Sequence, residues 1–135
     1  MKNILLILCV LSFVSCAEKP LDVETAKKVV ELLIEKSDKQ EWDAVGELYT
    51  AEFNSSEPVE IKKQKLARLR DTLGPVKSIE LISATNVAEF GRPQQVVLKY
   101  RVVHSRITSI ETFTVQEDEE GYKISTHHVE TETGI

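Results

Sequence analysis

Tyr100, Glu111 and His128 are the residues of this chain whose chemical types could act together on a proton. A carboxylate can take the proton, an imidazole can shuttle it, and a phenol can donate to a developing oxyanion. The trio also has a plainer use, in which a carboxylate buried in a core is satisfied by Tyr and His and does no chemistry. Between the two lies a polar anchor in a ligand pocket. The choice among them turns on whether the fold brings all three to one surface.

Side chains two apart on a strand share a sheet face. From Val76 onward the composition becomes β-branched and alternating, which predicts four strands over 77–90, 94–104, 108–117 and 122–130. Gly91-Arg92-Pro93, Ser105-Arg106 and Asp118-Glu119-Glu120-Gly121 supply the turns. Alternation places Val96, Leu98, Tyr100 and Val102 on one face of the second strand and Glu111, Phe113 and Val115 together on the third. On the fourth it groups Tyr122, Ile124, Thr126 and His128, with His127 on the other side. Pairing His104 with Ile107 sets Tyr100 opposite Glu111, and pairing Glu117 with Tyr122 sets Glu111 opposite His128. The three become a row across strands about 4.8 Å apart. A slip of one residue would turn the apolar sets outward, which the core resists.

The elements before Val76 are helical. Asp22 is a capping residue for an amphipathic helix on which Ala26, Val30, Leu33 and Ile34 recur at helical spacing. A second, shorter helix carries Trp42, Val45, Leu48 and Tyr49 and ends before Asn54-Ser55-Ser56. The third is bracketed by Ser56-Glu57-Pro58 and by Gly74-Pro75, where a left-handed cap and a helix stop belong. Leu66, Leu69 and Leu73 form its buried stripe, and Lys62, Lys63, Lys65, Arg68 and Arg70 a basic face that reads as solvated surface. The chain is therefore an α+β domain of about three N-terminal helices on a curved four-stranded antiparallel meander.

Trp42-Asp43-Ala44 leading to Leu48-Tyr49 and Phe53, Leu73-Gly74-Pro75-Val76-Lys77-Ser78 before the hairpins, and a meander closing on Glu119-Glu120-Gly121-Tyr122-Lys123-Ile124 give this arrangement a familiar look. It resembles the cystatin-like cone of nuclear transport factor two-like domains, in particular small bacterial lipoproteins of unknown function. Such domains include enzymes resembling ketosteroid isomerase, ligand carriers and non-catalytic modules, so the resemblance implies a fold and leaves the activity open.

The N-terminus carries an address. Lys2 is followed by an apolar run from Ile4 to Val14, about half the length a membrane-spanning helix needs, which suits a removable signal segment. Phe13-Val14-Ser15-Cys16 resembles the lipobox of bacterial lipoprotein signal peptides, with Phe13 where Leu is usual. The resemblance implies a signal peptide over 1–15, lipid such as palmitate on Cys16, a tether over 16–21 and one domain over 22–135. Attachment to the membrane of the bacterial cell envelope follows, and Ala17, where Asp commonly marks inner-membrane retention, favours the outer membrane. Ordinary cleavage after Ala17 is the alternative, since Ser15 and Ala17 also make a small-x-small site.

The remaining chemistry is sparse. Cys9 and Cys16 both precede the domain body, which therefore has no thiol for a disulfide or a metal. The formal charge of −5 includes Lys2, so removing the signal leaves −6, a balance that disfavours nucleic acid. His127 and His128 are adjacent on a strand and diverge, His104 sits at a strand end, and no metal site is expected. No phosphate-binding glycine loop, His-Glu-x-x-His or Gly-x-Ser-x-Gly occurs, and no cofactor is expected.

The expected role is non-catalytic binding of a small apolar or amphipathic ligand, or of a protein partner. Candidate pocket residues from the helices are Trp42, Tyr49 and Phe53; from the strands they are Leu98, Tyr100, Glu111, Phe113 and His128. One alternative is an isomerase- or dehydratase-like enzyme using Tyr100, Glu111 and His128. Another is a homodimer formed through the outer sheet face, where Val97, Val103, Ile110 and Val129 are expected. A cavity of roughly 300 Å³ or more beside Glu111 would favour a ligand.

Overall fold

The computed structural model describes residues 19–132; the expected signal peptide and Cys16 lie outside the described residues. Helices α1 (Val23–Asp38), α2 (Trp42–Glu47), α3 (Ala51–Ser55) and α4 (Val59–Leu73) precede strands β1 (Val76–Val87), β2 (Gln95–His104), β3 (Thr108–Asp118) and β4 (Gly121–Thr131). The strands form one antiparallel sheet in the order β1-β2-β3-β4. This is the α+β meander the sequence predicts.

Asp22 caps α1 as expected, accepting from the Thr25 backbone N–H at 2.9 Å. Ala26, Val30, Leu33 and Ile34 are the buried stripe of α1, packed on the inner face formed by Val96, Leu98, Tyr100, Val102, Phe113, Val115 and Ile124. The second helical stretch is broken into α2 and α3 by a pairing interaction. Thr50 N–H donates to the Ile124 carbonyl at 3.0 Å and Ile124 N–H to the Leu48 carbonyl at 2.9 Å, so Tyr49 is held like a strand residue against β4. Thr50 then caps α3 by accepting from Phe53 N–H at 3.1 Å.

At the end of α4, Gly74 has φ +86° and ψ 177°. This is a region open essentially to glycine alone, but it is not the left-handed helical cap that the sequence suggests. The extended ψ sends the chain straight into β1. Here α4 also meets the β2–β3 turn: Ser105 N–H donates to the Pro75 carbonyl at 2.9 Å and Arg106 N–H to the Leu73 carbonyl at 3.1 Å. Ser105-Arg106 is a poor hairpin dipeptide by itself; its backbone donors are satisfied by the helix end instead.

Register is where expectation and structure part. His104 N–H bonds the Ile107 carbonyl, Tyr100 pairs with Glu111, and Glu117 pairs with Tyr122, all as expected. Between them β4 carries a bulge: Val115 pairs with Ile124 but Thr114 with Thr126, leaving Ser125 as an extra residue. One inserted residue reverses the facing of everything beyond it. Thr112 therefore pairs with His128 on the outer face, while His127 pairs with Phe113 and Val129 with Glu111 on the inner face. The outer-face assignment of Val129 is corrected in the same way.

Candidate functional site

Glu111 stands on the inner face of β3, and its side chain is 8% exposed. Its partners come from three different strands. His127 Nε2, on β4, lies 2.9 Å from Oε2. Ser109 Oγ, two residues back on the same face of β3, donates to Oε1 at 2.9 Å. His104 Nε2, at the end of β2, lies 3.1 Å from Ser109 Oγ and 3.5 Å from Oε1, and its Nδ1 donates to the Gly74 carbonyl at 3.0 Å. A carboxylate only accepts, so His127 carries its proton on Nε2. Its Nδ1 then accepts from the Tyr49 hydroxyl at 3.1 Å.

The result is a buried chain from Tyr49 through His127 to Glu111. Burial alone would raise the Glu111 pKa; hydrogen bonds from His104, His127 and the Ser109 hydroxyl outweigh it and hold the carboxyl at about 2. Burial, with the nearby Glu111 charge, pushes the Tyr49 phenol well above its ordinary range, so it remains a donor.

The expected row of Tyr100, Glu111 and His128 does not form. His128 has a side chain 70% exposed and meets Glu130 at 3.0 Å on the outer face. The Ser125 bulge substitutes His127 for it. Tyr100 is opposite Glu111 but its hydroxyl donates to Glu31 of α1 at 3.3 Å. A tyrosine ring reaches beyond its strand toward the covering helix, so opposite Cα positions do not ensure contact between head groups. His128→Ala should therefore leave stability within about 0.5 kcal/mol of wild type. His127→Ala should cost about 2–4 kcal/mol by orphaning Glu111 and losing the ring that stacks on Phe113 at 4.3 Å. Urea melts of the two variants distinguish the registers.

Beside this network opens a pocket of about 510 Å³ between the sheet and α2–α4. Trp42, Val45, Tyr49, Phe53, Val59, Leu66, Leu69 and Val129 supply its apolar wall, with His127 in the same lining. Trp42, Tyr49 and Phe53 were legible as pocket residues. Leu98, Tyr100 and Phe113 are instead at most 1% exposed and belong to the core. Glu111 lines a separate void of about 50 Å³, and His127 links the two spaces. On the basic face of α4, Lys62 and Lys63 differ from expectation, being half-buried in the pocket lining, whereas Lys65 and Arg68 are exposed as expected. Sequence reading missed His127, His104, Ser109 and Val129; the out-facing apolar Val129 that simple alternation requires was the available sign of a bulge.

Among the described residues no group of three His, Cys, Asp or Glu side chains could hold a metal ion, and no helix is long and apolar enough to cross a membrane. No protein-family model and no curated protein sequence matches the chain. Solved structures are similar in shape. A proposed dehydratase of the nuclear transport factor two-like family from Streptomyces avermitilis superposes with a TM-score of 0.57 at 12% identity, covering 84% of this chain and 97% of that one. The β subunit of benzoate 1,2-dioxygenase from Burkholderia mallei gives 0.54 at 11% identity, covering 84% and 93%. At these identities the likeness is one of architecture, and the architecture is the nuclear transport factor two-like fold.

Proposed function

We propose that the domain binds a small apolar or amphipathic ligand between its sheet and its helices, and that Cys16 anchors it by lipid to the bacterial cell envelope. The observation that carries the binding reading is a roomy, mostly apolar pocket whose only imidazole among the described lining residues already has both ring nitrogens engaged. His127, the one imidazole in the lining, gives Nε2 to Glu111 and Nδ1 to Tyr49. Neither nitrogen is left to take a proton from a bound molecule, which favours holding a ligand over transforming it. A volume of about 510 Å³ falls within the range of small-molecule sites.

Native mass spectrometry of the domain after incubation with an envelope lipid extract tests this reading. A retained small molecule is expected in the wild type, and its loss in Leu66→Trp, which fills the pocket from α4. A wild type that retains nothing, or a Leu66→Trp variant that retains as much, would refute it.

The anchor rests on the Ser15-Cys16 junction after a short apolar run. Several acyl chains, at about 0.8 kcal/mol per buried methylene, would hold the domain to a membrane surface almost permanently. Cys16→Ser should release it from the membrane fraction with its unfolding midpoint unchanged, because among the described residues the packed core begins at Leu21. Intact-mass measurement of an unmodified wild-type chain beginning at Glu18 would exclude the anchor.

A further inference from the structure

The pocket holds a charge with no counter-ion. Of the three lysines in its lining, Lys63 pairs with Asp43 at 2.8 Å and Lys65 with Glu57. Lys62 makes no ion pair among the described residues. Its Nζ donates to the Phe53 carbonyl and lies 4.9 Å from the centroid of the Phe53 ring. An ammonium has three donors, and a single backbone carbonyl leaves two of them for another acceptor.

Lys62 also stands at one end of a continuous wall. Phe53 stacks on Tyr49 with ring centroids 4.1 Å apart and planes inclined by 11°, and Tyr49 donates to His127. The wall thus runs from an ammonium over two aromatic faces to an imidazole whose nitrogens are both engaged. Leu66, Leu69 and Val129 line the same space. Lys62 offers the unpaired positive charge and Phe53, Tyr49, Leu66, Leu69 and Val129 offer apolar surface; of the acidic residues in the lining, Asp43 and Glu57 are paired with Lys63 and Lys65, and Glu47 is exposed.

Resting on the ligand-binding reading above, we infer that the ligand is a linear amphiphile with a single anionic head group, bound with its head at Lys62 and its chain along Phe53 and Tyr49 toward Val129. At about 30 Å³ per heavy-atom group, the pocket volume accommodates a head and an acyl chain of roughly ten to twelve carbons. Partial burial pushes the Lys62 ammonium below the ordinary lysine range, with the Glu57 charge opposing the shift. An arriving anion would relieve that cost. A cationic amphiphile would meet Lys62 as a like charge, and a neutral one would leave it unpaired.

Trp42 is the only tryptophan in the chain and lines the pocket, so its fluorescence reports occupancy directly. The experiment titrates the domain with dodecanoate, dodecanol and dodecyltrimethylammonium below their micellar concentrations. Dodecanoate should bind about tenfold or more tighter than dodecanol, the size expected of one charge-assisted hydrogen bond, and the cation should bind weakest. Lys62→Met should abolish the preference for dodecanoate while leaving dodecanol binding within about twofold, and Lys62→Arg should retain it. Equal binding of dodecanoate and dodecanol to the wild type overturns the inference and leaves the binding reading standing, as does an unchanged preference in Lys62→Met. Failure of all three probes to bind removes both.

Discussion

Glu111→Ala should lower the unfolding free energy by about 3–5 kcal/mol, the penalty typical of removing the charged member of a buried hydrogen-bonded network. The carboxylate is the shared acceptor of His127 and Ser109, with His104 at 3.5 Å, and removing it leaves those donors without their acceptor in a largely buried site. Glu111→Leu combined with His127→Phe should recover at least half of the loss, because the second ring keeps the stack on Phe113 while withdrawing the orphaned imidazole. Acid should reveal the same carboxylate in the wild type. A folded-state pKa of about 2 against an ordinary 4.5 means that Glu111 contributes stability fully above pH 4.5 and loses it as pH falls toward 2. That contribution is about 3 kcal/mol. Urea midpoints measured between pH 5 and pH 2.5 should therefore fall more steeply for the wild type than for Glu111→Ala. Parallel slopes would mean that the carboxylate is not held by this network.

How far the sequence could be read is set by the range of the interactions involved. The stripe of Ala26, Val30, Leu33 and Ile34, the Asp22 cap and the inner set Val96, Leu98, Tyr100 and Val102 are periodicities within single elements, and they appear in the structure as read. The pairing of Tyr100 with Glu111 follows from the turn at Ser105-Arg106 and is also found. The candidate site failed one strand further on, because its third member depended on counting residues through Ser125. A bulge adds one residue without any glycine or proline to mark it here, and the tandem His127-His128 makes the two facings chemically indistinguishable. Lys62 departs from the reading for a different reason. A basic helix face is ordinarily solvated, and only the packing of α4 beside α2 and α3 turns Lys62 toward Phe53. His104 was legible as a strand-end residue, but its role depends on the Gly74 carbonyl, thirty residues away.

That carbonyl gives the second large effect. Gly74→Val should destabilise the domain by about 3 kcal/mol and Gly74→Ala by about 2 kcal/mol, since φ +86° with ψ 177° strains any residue bearing a Cβ. Crowding adds to the backbone cost: a Cβ built on Gly74 would lie 2.1 Å from Ser105 Oγ and 3.3 Å from Ser105 Cβ. The hydroxyl can rotate away, but the Ser105 backbone is pinned by its bond to the Pro75 carbonyl. Gly91 separates these contributions. It also has positive φ, +76°, yet nothing lies within 4 Å of its Cβ position, so Gly91→Val bears the backbone strain alone. Denaturant melts should place Gly74→Val clearly below Gly91→Val. Any shift of the Gly74 carbonyl also pulls on His104, so Gly74→Val should broaden or move the His104 ring resonances in an NMR spectrum while those of exposed His128 stay in place. Equal midpoints for the two valine variants, with His104 undisturbed, would mean that the close approach of α4 to the β2–β3 turn contributes nothing and that the network around Glu111 does not depend on where α4 ends.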